Sequence, residues 1–187
     1  WKEVTIMIKR EQYMCRIRPF IGNDLIKVLT GIRRSGKSVM LDLIKEELIS
    51  SGISDAQFIT FNFEAMKNAH LCTAEALYRE IIQQTAEING KVYLFFDEIQ
   101  EVVNWERCIN SFRVELDCDI YITGSNAKLL SGELATYLAG RYIEFIIYPF
   151  SFGEFRELYT SVFPAANPAQ AFREYLTAGG MPYLANL

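Results

Sequence analysis

The hydrophobic positions of this chain alternate between short continuous runs and stretches of helical period. Ile26 to Thr30 (IKVLT) is a β-rich run that ends at Gly31, and beyond Gly36 the residues Met40, Leu41, Ile44 and Leu48 recur at the spacing of one helix face. Phe58 to Phe63 and Val92 to Phe96 are further strand-like runs. The second is apolar throughout, the pattern of a strand covered on both faces. Between them the spacing predicts a helix from Thr73, a fair N-cap, to Ile88, where Asn89-Gly90 stops it. A helix from Asn104 to Glu115 leads into a fourth strand, Asp119 to Thr123, which Gly124 breaks. Leu129 to Leu138 has helical character, and Tyr142 to Ile147 makes a fifth strand. Five strands alternating with helices predict an α/β fold, a parallel sheet covered on both faces and joined by right-handed crossovers. After Pro149 the rhythm changes, with helices over Ser151 to Tyr159 and Ala169 to Leu176. The chain thus divides into a sheet domain, 1–150, and a segment, 151–187, that reads as a helical lid or the start of a second domain.

Composition adds that the chain is globular. Half of its 187 residues are apolar and 13% aromatic, enough to build one principal core. No apolar run approaches the roughly 20 residues that span a bilayer, and no signal-peptide pattern opens the chain, so a cytoplasmic protein without a membrane partner is expected. Cys15, Cys72, Cys108 and Cys118 are widely spaced, form no CxxC pair and have one histidine, His70, for company; they read as ordinary reduced thiols. The chain opens on Trp1 and closes inside an apolar stretch, AGGMPYLANL, which reads as a piece of a longer protein. Charge is uneven. Residues 1–40 hold nine Lys or Arg against three acids, +6, and the rest hold ten against twenty, -10. The basic end suits compensation of a polyanionic ligand, or a nucleic-acid patch.

The chemistry begins at GIRRSGKS, Gly31 to Ser38, which fits GxxxxGK[ST] between a predicted strand and a predicted helix. In such a loop the backbone N–H groups of Gly31, Ile32, Arg33, Arg34, Ser35, Gly36, Lys37, Ser38 and Val39 can turn toward phosphates. Lys37 reaches the β- and γ-phosphates, and the Ser38 hydroxyl ligates Mg²⁺. The second signal is VYLFFDE: a buried strand delivers Asp97 to the sheet edge where the metal lies, with Glu98 next to it as base or orienter for an attacking water. Two acids at a buried strand end require a cation or a proton. The third is ITGSN. Ser125 or Asn126 can bond the γ-phosphate or the water, although Asn126 equally suits a helix cap. Arg141 can neutralise transition-state charge, in its own subunit or a neighbour's, or simply lie on the surface. Arg33 and Arg34 either grip phosphate or solvate the loop. Trp105 reads as a packing residue and His70 as surface.

The stretches TGIRRSGKS, YLFFDEIQ with Trp105-Glu106, ITGSNAKLLSGELATYLAGR and YPFSFGEF together resemble one group. These are the bacterial and archaeal AAA-type P-loop ATPases whose ATPase domain precedes a C-terminal domain related to restriction-endonuclease-like folds. The resemblance spans about residues 26 to 155. It implies the strand order 5-1-4-3-2, with Lys37 and Ser38 on phosphate and Mg²⁺ and Asp97 on the metal. It also implies Glu98 as the catalytic base, Ser125 or Asn126 as sensor, and Arg141 at the family's GR position. The expected cofactors are ATP and Mg²⁺, and the expected activity is ATP hydrolysis driving a motor or switch. A protein partner or DNA would engage through the C-terminal domain, and a homo-oligomer is compatible with Arg141 acting between subunits. The competing readings are a small-molecule phosphotransferase, for which no acceptor pocket is evident, and a nucleotide-gated binding module. No [NT]KxD motif is present to read guanine, which favours adenine.

Overall fold

The computed structural model describes residues 8–124 and 138–182. A short helix, α1 (Glu11–Ile17), precedes the first strand, and the core then alternates β1 (Ile26–Thr30), α2 (Lys37–Ser50), β2 (Phe58–Asn62), α3 (Ala74–Thr85), β3 (Val92–Asp97), α4 (Trp105–Glu115), β4 (Cys118–Thr123) and β5 (Tyr142–Ile146). Two helices follow, α5 (Phe152–Val162) and α6 (Pro168–Ala178). All strand pairs are parallel, in the order β2-β3-β4-β1-β5, which is 5-1-4-3-2 read from the other edge.

The central strands β3, β4 and β1 are buried on both faces, so their side chains alternate between two cores, while the edge strands β2 and β5 are partly exposed. Val92, Leu94 and Phe96 of β3, with Ile120 and Ile122 of β4, pack against α3 and α4 through Leu77, Ile81, Ile109 and Phe112. Tyr93, Phe95 and Tyr121 point the other way, where Met40 and Ile44 of α2 and Met14 and Ile17 of α1 cover them. Trp105 is buried at the start of α4, as a packing residue, and His70 is exposed.

Boundaries shift where local chemistry decides them. The helix α3 stops at Thr85 rather than Ile88; the Thr85 hydroxyl bonds back to the carbonyls of Ile81 and Ile82. β3 runs one residue further than its apolar run, because Asp97 still pairs in register with Asn62. The helix expected over 129–138 lies, except for its last residue, outside the described residues.

Charge is buried at the N-terminal edge of the sheet. Lys27 of β1 and Asp119 of β4 are both fully buried and meet at 2.5 Å. Asp119 also accepts from the Gly22 amide and the Tyr121 hydroxyl, and Lys27 donates to the Asn23 carbonyl. Burial pushes the Lys27 ammonium below its ordinary range and Asp119 opposes that shift.

The C-terminal helices form a third small core, in which Phe155 and Leu158 of α5 pack on Ile8 and Phe150, with Tyr175 of α6 alongside. The backbone is tied there as well: the Phe150 amide donates to the Gly180 carbonyl at 2.6 Å. A side chain at Gly180 would collide with the Phe150 carbonyl oxygen.

Candidate functional site

Because all strands run parallel, every loop that follows a strand opens at one edge of the sheet, the place where α/β folds assemble their sites. The loop after β1 is the glycine-rich run. Its shape demands glycine at two positions. Gly31 has φ +148° and lies so close to the Ile147 carbonyl that a Cβ would overlap its oxygen, and Gly36 has φ +96° as the residue that caps the start of α2. Arg34 also takes a left-handed conformation, φ +66°. The side chain of Lys37 folds back over the loop, only 5% exposed, with its ammonium 3.3 Å from each of the Gly31 and Ile32 carbonyls and 3.7 Å from a Glu98 oxygen.

The registers of β2, β3 and β4 set a row of polar side chains beside this loop. Asp97 closes β3 almost fully buried; its Oδ1 accepts from the Thr123 hydroxyl at 2.5 Å and its Oδ2 from the Asn62 amide at 2.9 Å. Thr123 works twice, since its Oγ1 also accepts the Glu98 N–H at 3.0 Å. That bond helps to hold Glu98 at φ +55°, a left-handed conformation costing of order 1–3 kcal/mol in a non-glycine residue. The Glu98 carboxylate accepts from Gln100 at 2.6 Å while facing Lys37. Asp42, one turn beyond Ser38 on α2, has its carboxyl raised by desolvation first and then by the Asp97 charge. This corner of the site is rich in negative potential.

A cleft of about 370 Å³ gathers Arg33, Arg34, Gly36, Lys37, Ser38 and Val39 with Glu64, Glu98 and Pro182. Lys37, Ser38 and Glu98 therefore share one cavity, and Asp97 stands behind it. Arg33 reaches Glu64 at 3.2 Å and is mostly exposed. Ile32 is exposed beside it, and Ser35 is buried within the loop with its Oγ unpartnered among the described residues. Among the described residues no cluster of three or more acids, histidines or cysteines could hold a metal unaided. A divalent cation here would complete its oxygen shell on a bound ligand, which suits Mg²⁺ beside phosphate.

Two expected residues, Ser125 and Asn126, fall outside the described residues. Arg141 is elsewhere. It precedes β5, its carbonyl accepts from the Ile26 amide at the start of β1, and its guanidinium bonds Asn110 on α4. A five-residue strand is about 16 Å long, so Arg141 sits at the sheet edge opposite the loop. Of the roles the sequence leaves open for Arg141, at its own subunit's site, at a neighbour's or on the surface, the first is the one this position does not favour.

Sequence reasoning passed over Asn62, Thr123, Arg10 and Glu154. The first two end strands β2 and β4, the same signal that exposed Asp97. Arg10 and Glu154 gave none, being 144 positions apart. Together they use up part of the basic N-terminal excess: Arg10 pairs with Glu154, Lys27 with Asp119, and Arg18 with Glu11 and Glu47.

Glu154 gives a pH prediction. Burial raises its carboxyl, but hydrogen bonds from Arg10 and from Ser151 outweigh this and hold it below the ordinary 4.5. A depressed carboxylate stabilises the fold fully above its unfolded value, and that stability is lost as pH falls through the folded one. Denaturant unfolding of wild type and Glu154→Gln should therefore differ most at neutral pH and converge well below pH 4.5. A gap that stays constant into acid would show that the carboxylate charge is not what matters.

Comparison with known proteins agrees with this geometry. An uncharacterized protein of Haemophilus influenzae is 40% identical over 176 residues, 94% of this chain and 44% of that protein. The chain thus spans less than half the length of this relative. Among solved structures, the Walker-type ATPase PABY2304 of Pyrococcus abyssi superposes with a TM-score of 0.67 at 19% identity, covering 96% of this chain and 66% of that one. AMPPCP-bound DnaA from Aquifex aeolicus gives 0.62 at 12% identity, over 95% and 58%. These distant likenesses speak for the fold. Residues 23–156 match the AAA domain family, from ahead of β1 into α5. The chain accordingly belongs to the AAA domain family.

Proposed function

We propose that this chain binds MgATP in the cleft beside Lys37 and hydrolyses it, using the cycle to move the C-terminal helices and whatever they carry. The observation that carries this reading is the buried Lys37 ammonium, set in a glycine-shaped loop 3.7 Å from Glu98, with the Asp97 carboxylate behind. Lys37 would take the β- and γ-phosphates, and the loop amides and the start of α2 would add partial positive charge. Ser38 and Asp97 would hold Mg²⁺, whose contribution is to neutralise charge developing on the phosphates. Thr123 and Asn62 orient Asp97. Glu98 would orient the attacking water, once phosphate draws Lys37 away from it.

Ser125 or Asn126 would sense the γ-phosphate. Arg141, remote from its own loop, would serve the site of a neighbouring copy, so that the working form would be a homo-oligomer. Residues 1–150 would form the ATPase domain and 151–187 a helical lid. A protein or DNA partner would act through portions of longer relatives that this chain does not span.

A second reading, a nucleotide-gated binding module, draws on the engagement of Glu98 by Lys37 and Gln100. Both readings require nucleotide, and Lys37 tests that. Losing a charge-assisted contact to phosphate should weaken MgATP binding of Lys37→Ala by about 1.5–3 kcal/mol in calorimetry. Equal affinity in both proteins would overturn the site.

A further inference from the structure

Arg10 lies ahead of α1, outside the glycine-rich run and outside the sheet, yet it is 2% exposed. Its guanidinium joins three parts of the chain that are remote in sequence. Nη1 donates to the Ser35 carbonyl in the phosphate loop at 2.9 Å, Nη2 to the Tyr148 carbonyl after β5 at 2.7 Å, and Nε to Glu154 of α5 at 2.9 Å. It also lies over the rings of Tyr13 and Phe150, 4.6 and 5.2 Å from their centroids. The Tyr13 hydroxyl accepts the Tyr148 amide, fixing the same corner a second time. Glu154 is committed as well. Its other oxygen accepts the Ser151 amide and hydroxyl in the capping box that starts α5.

Resting on the nucleotide-site reading above, we infer that Arg10 is a positioning residue for the phosphate loop, and that through Glu154 it couples the loop to α5. The Ser35–Gly36 peptide is trans, so fixing the Ser35 carbonyl on the guanidinium directs the Gly36 N–H the opposite way. Donation from a cation to that carbonyl also polarises the peptide, which makes the N–H a stronger donor toward an anion. A planar guanidinium suits this task because it presents donors in fixed directions; a lysine ammonium cannot hold all three acceptors in that geometry. The same rigidity makes the coupling reciprocal. A shift of the loop upon nucleotide exchange pulls on Glu154 and hence on the first turn of α5, and a displaced α5 unsettles the loop.

The test uses Arg10→Lys and Glu154→Gln, with three measurements: near-ultraviolet circular dichroism for folding, amide hydrogen exchange without nucleotide, and affinity for trinitrophenyl-ATP. In folded Arg10→Lys the amides of 35–37 should exchange about tenfold faster, the scale of one buried charge-assisted hydrogen bond. Those of β3 should be unchanged, and trinitrophenyl-ATP should bind about tenfold more weakly. Glu154→Gln should move both readouts in the same direction by less. Wild-type loop exchange in a folded variant overturns the inference, as does acceleration spread equally over β3, which would mark a merely structural tie. Should Arg10→Lys fail to fold, Glu154→Gln decides by the same criteria. Should wild type bind no nucleotide, the proposed function fails, while the exchange comparison still decides for Arg10.

Discussion

Replacing Glu98 with glutamine is expected to leave nucleotide affinity nearly intact while lowering single-turnover hydrolysis roughly 10²-fold or more, the usual worth of a general base. The substitution keeps the side chain's shape and the N–H bond to Thr123, and it places no new demand on the backbone, which already tolerates a non-glycine residue at φ +55°. It removes the carboxylate that faces Lys37. Affinity for ATP could even rise slightly, since a negative charge 3.7 Å from the ammonium competes with phosphate. Hydrolysis at the wild-type rate in the glutamine variant would refute Glu98 as the base. No hydrolysis in wild type, alone or with partners, would favour the binding-module reading.

The largest effect on stability is expected far from the loop, at Lys27. Lys27→Met leaves the fully buried Asp119 carboxyl without its ion-pair partner and, among the described residues, with the Gly22 amide and the Tyr121 hydroxyl as its hydrogen-bond donors. Breaking a buried ion pair from one side costs about 3–5 kcal/mol. Adding Asp119→Asn to Lys27→Met should recover a good part of that, because a neutral amide needs no counter-charge there. Urea unfolding of the three proteins checks both steps. A single variant within about 1 kcal/mol of wild type would mean that the pair is not load-sharing in the way its burial implies.

Both predictions bear on what a reader of the bare sequence could see. The glycine loop, the acidic strand end, the strands and the helices that follow β1, β2 and β3 were legible because each rests on neighbours in sequence: a glycine where φ must be positive, an apolar run where both faces are covered. The helix α1 was missed. At seven residues, with no side-chain cap at Arg10, it offers too little period to stand out, and Tyr13, Met14 and Ile17 become a helix face only against α2 and β5. The order of the strands across the sheet is likewise absent from any hydrophobic rhythm; it came from resemblance to a family. Lys27 and Asp119 sat as charges inside IKVLT and DIYIT, 92 positions apart, and nothing local says that they meet. The same holds for Asn62 with Asp97 and for Arg10 with Ser35. Side chains that touch across a sheet or between the two ends of the chain are properties of the assembled fold, whereas motifs are properties of a segment.

The closeness of Gly31 to the Ile147 carbonyl has a consequence for the order of events during synthesis. The loop is complete in sequence by residue 38, but its floor is the strand end at 147, and its neighbours Asp97 and Thr123 are added in between. The Ile147 amide that donates to the Thr30 carbonyl is the last of these pieces to leave the ribosome. A growing chain therefore carries the glycine-rich sequence for more than a hundred residues of elongation before the carbonyl that Gly31 packs against exists, and over that interval the loop lacks the floor it has in the folded domain.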